Sequence, residues 1–163
     1  MTWCRYIIDH FERLRNVTIF VHAERYQWHN DDPDYDGMRN LARLNITYVQ
    51  SQGYVNLRCA WLLGCPAEIH PLVDASHTGT PIKTKEVYKK SFEELFPGIE
   101  VPATIGTSCC AQFAVAKEAI QSRPKQDYEK YRQWIIETDL ADDLSGRVLE
   151  YSWHSKSPTV MNR

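Results

Sequence analysis

The densest group of side chains that can do chemistry follows a β-branched run near the N-terminus. His22 and Glu24 stand two residues apart, and the polar stretch to residue 37 adds imidazole, amide and carboxylate groups: His29, Asn30, Asp31, Asp32, Asp34 and Asp36. Imidazole and carboxylate groups are ligands for divalent metals, and clustered acids need a cation to relieve their repulsion. The same composition is typical of a solvated acidic turn, where Asp and Asn are selected for backbone geometry. The sequence leaves both interpretations open.

A second acid and imidazole pair lies near the C-terminus. Glu150 and His154 are four residues apart, so on a helix they share one face, one turn from each other. Such a pair can act as general base and acid, or as two ligands of one metal. A surface ion pair near a helix C-terminus, where a cationic histidine is favoured, is the alternative interpretation.

The cysteines indicate a reducing location. The chain has five, without the paired C-x-x-C spacing of a zinc site. Cys109 and Cys110 lie in an apolar run with no evident base to activate a thiolate, so we interpret them as structural. The first 14 residues are amphipathic, which is not typical of a signal peptide, and no apolar run is long enough to cross a membrane. We therefore expect a cytoplasmic protein with mostly free thiols.

The overall charge argues against a surface built entirely for nucleic acid. The formal net charge is −2, whereas dedicated nucleic-acid-binding domains are usually strongly basic. Two local basic segments remain as candidates for phosphate contacts, although charge runs of this kind are usually solvated helix faces. Their residues are Lys83, Lys85, Lys89 and Lys90 in the first segment, and Arg123, Lys125, Lys130 and Arg132 in the second.

The order of periodic segments predicts an α/β fold with a layered, mostly central sheet flanked by helices. Residues 1–154 are expected to form one domain, and residues 155–163 a flexible tail. The predicted strands are 17–22, 47–50, 54–61 and 107–115. Helices are predicted over residues 2–14, 38–44, 116–122 and 146–154, the last capped by Ser145. A further helix starts at residue 84 and stops at Pro97. Another follows residue 122 and carries Tyr128, Tyr131, Trp134 and Ile135 on its inward face. In such folds ligands bind in the loops that leave the carboxyl ends of strands, which is where His22 and Glu24 are found.

Several separate blocks of the sequence resemble the domain-of-unknown-function family thirty-four thirty-one, which is common in filamentous fungi. The agreement runs from about residue 5 to residue 154. Because this chain begins at the first helix, we expect it to lack an N-terminal strand that is part of the fuller family pattern. The matching blocks are YIIDH, VTIFVHAERYQWHNDDP, GYVNLRC-x-W-x-x-GCP, CCAQFAV and SGRVLEYSWH.

The C-terminal half is also similar to metal-dependent, nucleotide-sugar glycosyltransferase domains. This resemblance implies a divalent metal held by His22, Glu24 and His154, with Glu150 as the catalytic base and metal-assisted transfer as the chemistry. The residues that carry it are Gln112-Phe113-Ala114-Val115, Ile120, Arg123-Pro124, Tyr128, Glu150 and Trp153-His154.

A further resemblance is to the small fungal arginine-containing cyclodipeptide synthases, which take aminoacyl groups from charged tRNA and need no cofactor. Those enzymes carry a D-D-x-x-E pattern, whereas Asp31-Asp32-Pro33-Asp34-Tyr35 ends in tyrosine here. This resemblance gives our leading expectation, a tRNA-dependent synthesis in which the acidic loop binds the arginine guanidinium and Glu150 or His154 deprotonates the attacking amine.

Under this expectation the candidate residues fall into three groups. The catalytic residues are Glu150, His154 and Glu24; the substrate-binding residues are His22, His29, Asn30, Asp31, Asp32 and Tyr151; the tRNA-binding residues are Lys83, Lys85, Lys89, Lys90, Arg123 and Lys125. The alternatives are the metal-dependent glycosyltransferase and a catalytically inactive domain that binds a partner or ligand through the loop from Trp28 to Tyr35.

Overall fold

The structure is a computed structural model that describes residues 2–58, 69–74, 83–108 and 110–152. Over these ranges it is a mixed α/β fold with a three-stranded antiparallel sheet, which confirms the predicted fold class. No helix in the described ranges combines the length and the apolar character needed to cross a membrane. The elements are α1 (Thr2–His10), β1 (Val17–Phe20), α2 (Gly37–Ala42), α3 (Ile46–Gln52), β2 (Tyr54–Asn56), α4 (Pro71–Asp74), α5 (Thr84–Leu95), β3 (Phe113–Ala116), α6 (Lys117–Gln121), α7 (Lys125–Glu137) and α8 (Asp142–Glu150).

The sheet brings three chain segments to one edge. Its strand order is β1-β3-β2, and Phe113 at the start of β3 pairs with both Phe20 at the end of β1 and Asn56 at the end of β2. Because both outer strands run antiparallel to β3, their carboxyl ends meet the amino end of the central strand. The residues that leave β1 and β2 and those that enter β3 therefore lie together; we call this place the polar edge.

The central strand is shorter than the sequence predicts. All four residues of β3 are buried, as expected for an apolar central strand, but regular pairing starts only at Phe113 rather than at residue 107. Cys110 and Ala111 have φ values of 85° and 37°, which are incompatible with extended backbone. The apolar composition of this segment reflects burial, and its backbone forms a turn before the strand begins.

An aromatic core joins the helices. Tyr88 and Phe92 of α5 are fully buried and lie next to Tyr151, which follows α8, and to Phe96. Tyr131 of α7 packs on Phe96 with ring centroids 5.5 Å apart. The inward face predicted for α7 is thus confirmed, and the buried face of α5 supports the segment that ends α8 at the polar edge.

The predicted strand 47–50 is wrong, because this segment is part of helix α3. The Asn45 side chain accepts a hydrogen bond from the Tyr48 backbone N–H at 3.0 Å, which caps the helix. Val49 is fully buried, and the residues on either side of it are exposed. The Asn45 cap and the burial of Val49 on one face of the helix outweigh the β propensity of Ile46 and Thr47.

The last helix begins earlier than predicted and ends at Glu150. Asp142 and Asp143 occupy its first turn, where carboxylates are favoured by the helix dipole. Ser145, the predicted cap, lies inside the helix and its Oγ donates to the Asp142 carbonyl at 3.3 Å. The helix therefore stops short of its predicted end at residue 154, because Tyr151 and Ser152 are not helical. His154 itself lies outside the described residues, as does the predicted tail.

Candidate functional site

At the polar edge, Gln112 links the residues that follow β1 to the acidic loop, which we define as residues 24–37. Its Oε1 accepts a hydrogen bond from the His22 backbone N–H at 3.1 Å, and its Nε2 donates to Asn30 Oδ1 at 3.1 Å. Gln112 is only 5% exposed, so both bonds are shielded from competition by water. The sequence signal for this residue is a single amide among the apolar residues from Cys109 to Ala116.

Asn30 holds the loop closed. Its Nδ2 donates to the carbonyls of Arg25 and Tyr35, at 2.8 and 2.7 Å, which lie on opposite sides of the loop. Gly37 allows this approach, because a Cβ on that residue would stand 3.1 Å from Asn30 Nδ2. Asn30 was predicted to bind substrate, and the structure places it as a buried brace beneath the loop.

The carboxylates of the loop are paired with arginines of the same chain. Asp36 receives two hydrogen bonds from the Arg25 guanidinium, at 2.8 and 2.7 Å, and these bonds lower the pKa of Asp36 to about 2. Arg39 lies 3.4 Å from Asp32 and 2.5 Å from Asp34. Arg25 and Arg39 thus reduce the repulsion between these carboxylates, while Asp31 is exposed.

Two predicted histidines lie against each other at the polar edge. The rings of His22 and His29 are 4.6 Å apart, and His29 Nδ1 is 3.1 Å from Gln27 Oε1. Burial lowers the pKa of His29, and the charges of His22 and Arg58 lower it further, whereas Glu150 acts in the opposite direction. His29 is therefore held in its neutral form near pH 7, as a proton acceptor or shuttle requires.

Glu150 ends α8 with its carboxylate at the same edge. The Cys110 backbone N–H donates to Glu150 Oε1, and Arg147 Nε lies 4.0 Å from Oε2. The Glu150 side chain is 14% exposed, so its carboxylate is largely screened but still reachable. Burial raises the pKa of the neighbouring Tyr54 hydroxyl above its usual range, and the charge of Glu150 adds to this effect.

Cys110 and Arg58 were not predicted to belong to this site. Arg58 Nη1 lies 3.1 Å from Cys110 Sγ, and Arg58 Cζ lies 5.2 Å from the centroid of the Trp28 ring. Cys4 is a buried thiol that forms no disulfide, as expected. Cys110 is disulfide-bonded, so the expectation of a free thiol does not hold at this position.

Glu24 lines a small cavity next to this cluster. The cavity has a volume of about 220 Å³ and is also lined by His22, Asn30 and Gln112. Glu24 is exposed and accepts a hydrogen bond from Gln27 Nε2 at 3.2 Å. Within the described ranges, no group of three or more His, Cys, Asp or Glu residues is arranged to hold a metal ion. The predicted third ligand, His154, lies outside those ranges.

Comparison with known proteins places the chain in a family. The family model described as "Protein of unknown function (DUF3431)" matches residues 1–157. The chain belongs to this family. The resemblance drawn from the sequence blocks is thereby confirmed. No curated protein and no solved structure matches the chain significantly.

In this DUF3431 chain, several of the predicted tRNA-binding residues already have partners. Lys85 Nζ lies 3.5 Å from Asp74, and Lys90 Nζ lies 3.8 Å from Glu94. The Arg123 guanidinium donates to the Tyr131 hydroxyl at 3.3 Å. The other three are placed as follows: Lys83 precedes α5, Lys125 begins α7, and Lys89 is a half-buried residue of α5.

Tyr151, a predicted substrate-binding residue of the DUF3431 chain, belongs to the core. It is 7% exposed, and its ring packs edge-on against Tyr88 with centroids 6.4 Å apart. Its backbone carbonyl accepts a hydrogen bond from the Tyr88 hydroxyl at 3.4 Å. Tyr151 therefore fixes the end of α8, and so the position of Glu150, from beneath.

Proposed function

We propose that this DUF3431 chain is a group-transfer enzyme that uses charged tRNA to make a cyclic dipeptide containing arginine. The observation that carries the proposal is the position of Glu150, whose carboxylate is held by the Cys110 N–H at an edge that it shares with the neutral imidazole of His29. A fixed carboxylate at the same sheet edge as an imidazole of lowered pKa is an arrangement suited to moving protons during acyl transfer.

In the proposed reaction, Glu150 accepts the proton of the α-amine of one aminoacyl group. The freed amine attacks the ester carbonyl of the other aminoacyl-tRNA, so that an amide C–N bond forms and the C–O bond to the ribose breaks. The ribose oxygen leaves with the proton, which Glu150 returns directly or through His29. A second aminolysis of the same kind closes the six-membered ring and releases the second tRNA.

Glu24 is the carboxylate best placed to bind the arginine guanidinium. Asp32 and Asp36 already pair with Arg39 and Arg25, whereas Glu24 is exposed and lines the cavity beside His22. Carboxylates bind a guanidinium through two parallel hydrogen bonds. The cavity volume of about 220 Å³ is below the roughly 300–1,000 Å³ of sites for drug-sized ligands, which suits a single side chain.

The proposal is tested by mass spectrometry of extracts from bacteria that express the chain, since these cells supply charged tRNA. Arginine-containing diketopiperazines are expected with the unmodified chain and absent with Glu150→Gln, which keeps the shape of the side chain and removes its charge. Glu129→Gln makes the same change at an exposed position of α7 and serves as the matched control. Soluble, folded protein without such products would refute the proposal, and full activity of Glu150→Gln would remove Glu150 from it.

A metal-dependent glycosyltransferase-like enzyme is the second candidate. In its favour, His22 and Glu24 line one cavity, and the Nε2 atom of His22 is buried without a hydrogen-bond partner. The described residues supply only these two of the three predicted ligands. Elemental analysis of the purified chain decides between the candidates, because only this one requires a bound divalent ion that His22→Ala would remove.

A catalytically inactive binding domain is the third candidate, and exposed aromatic side chains in the loop favour it. Tyr26, Trp28 and Tyr35 are each more than half exposed. This candidate predicts neither diketopiperazine products nor a bound metal. It also predicts that the chain shows no salt-sensitive binding of tRNA. Salt-sensitive tRNA binding favours the synthase instead.

A further inference from the structure

Trp28 is an exposed indole at the polar edge that takes no part in the hydrophobic core. Its side chain is 56% exposed. The His29 ring lies 4.1 Å from it at an interplanar angle of 58°, and Arg58 Cζ lies 5.2 Å from its centroid. An exposed indole beside an arginine and a second aromatic ring offers a flat face on which a planar ligand can stack.

The backbone around Trp28 is fixed by the loop rather than free to collapse onto the protein. The Asn30 N–H donates to the Gln27 carbonyl at 2.9 Å, and the Gln27 N–H donates to the Tyr35 carbonyl at 3.2 Å. These bonds enclose Trp28 in a turn that Asn30 braces from below. The indole is therefore held in position before any ligand arrives, which lowers the entropy cost of binding.

The charges on this side of the loop favour an anion close to the indole. Arg58 lies against the indole and 3.1 Å from Cys110 Sγ. The Cys110 N–H donates to Glu150, next to which Arg147 lies with 60% of its side chain exposed. The carboxylates of Asp32, Asp34 and Asp36 are paired with arginines, so their repulsion of an anion is reduced.

We propose that Trp28 is a stacking platform for the nucleobase of the donor and that Arg147 contacts the adjoining phosphate. The inference rests on the proposed function, because it assumes that Glu150 acts on a donor carried by a nucleotide. Aromatic side chains with neighbouring arginines bind unpaired bases by stacking, which depends little on base identity. The ligand is thus a base with its phosphate, as found at the 3′ end of tRNA or in a free nucleotide.

The test measures binding of the full chain to a labelled RNA hairpin with a single-stranded CCA end by fluorescence anisotropy. Trp28→Ala is expected to raise the dissociation constant about tenfold, since stacking on an aromatic side chain contributes roughly that factor or more per base. Trp28→Phe should lose less affinity. Tyr48→Ala removes another exposed aromatic residue, 54% exposed on α3, and should bind as the unmodified chain does.

Arg147→Gln should weaken binding and reduce the slope of log affinity against log salt by about one, as expected for one lost phosphate contact. A nucleoside diphosphate replaces the RNA in a second arm. Trp28-dependent binding of the RNA assigns the base to tRNA, and Trp28-dependent binding of the diphosphate alone assigns it to a free nucleotide; both support the platform. Binding within twofold of the unmodified chain for Trp28→Ala in both arms overturns it and leaves the indole as a contact for a protein partner.

The binding test and the product test fail separately. Trp28-dependent RNA binding without diketopiperazines would refute the proposed synthesis and keep the platform. Diketopiperazine synthesis together with unchanged binding of the RNA and of the diphosphate in Trp28→Ala would refute the platform and keep the synthesis.

Discussion

Replacing Asn30 tests whether one buried amide holds the loop of the site. Asn30→Ala removes two hydrogen bonds to the carbonyls of Arg25 and Tyr35 and a third from Gln112. At about 1 kcal/mol for each net hydrogen bond, the expected loss of unfolding free energy is about 3 kcal/mol. The carbonyls are only partly buried, so water replaces some of these bonds, and the larger penalty of fully buried unpaired groups does not apply.

The assay is urea unfolding followed by circular dichroism, with the free energy extrapolated to water. Asn30→Asp is the informative companion, because it keeps the size of the side chain but turns the Nδ2 donor into an oxygen that faces two carbonyl oxygens. We expect it to destabilise the protein at least as much as Asn30→Ala. Gln126→Ala, at an exposed position of α7, should change the free energy by less than about 0.5 kcal/mol.

A loss of less than about 1 kcal/mol for Asn30→Ala would refute this reasoning. It would show that the loop is held by its arginine and aspartate pairs alone. An Asn30→Asp variant as stable as the unmodified chain would contradict the assigned direction of the two hydrogen bonds.

Three further predictions concern charge and core packing. The hydrogen bonds from Arg25 lower the pKa of Asp36 to about 2. Above about pH 4, Asp36→Asn should therefore show its full decrease in the free energy of unfolding relative to the unmodified chain. That difference should disappear as the pH falls through 2, and urea unfolding at several pH values measures it. The pKa of the His29 imidazole, measured by NMR, should lie below 6.5. Glu150→Gln should lower this pKa further, because the charge of the carboxylate raises it. A higher pKa of His29 in Glu150→Gln would contradict the electrostatic effect of Glu150. Tyr88→Phe should reduce the unfolding free energy by about 1–2 kcal/mol, since it removes the buried hydroxyl that bonds to Ser152 and to the Tyr151 carbonyl; an unchanged midpoint of thermal unfolding would refute this.

The longest helices and the first strand could be predicted because their signal is local. α5 and α7 repeat apolar residues at helical spacing and are stopped or preceded by proline, and β1 is a short β-branched run. Each pattern is complete within about a dozen residues. The composition therefore determines these elements without reference to the remainder of the chain.

The errors arose where a cap or a backbone conformation decided the structure. Asn45 starts α3 in a segment whose β-branched residues favour a strand, and two aspartates start α8 before the predicted cap. The positive φ values of Cys110 and Ala111 shorten the central strand without any Gly or Pro to indicate a turn.

The candidate site was predicted only in part. His22, Glu24 and His29 were identified because they follow a strand, and Glu150 because of its spacing to a histidine. Gln112 was missed because its partners lie 82 and 90 positions away in the sequence. Arg147 becomes part of the site only through the way α8 meets the sheet, which no local pattern indicates.

The central position of β3 has a consequence for how this protein is made. β1 and β2 each pair with β3, so in the growing chain both strands are synthesised well before the segment that joins them. Until residue 116 has left the ribosome, their backbone donors and acceptors remain open to each other or to other chains, a state that favours misassembly. Closing these distant pairings carries an entropy cost that slows folding. The sheet should therefore form late in synthesis, and truncation before residue 113 should yield a chain that depends on chaperones.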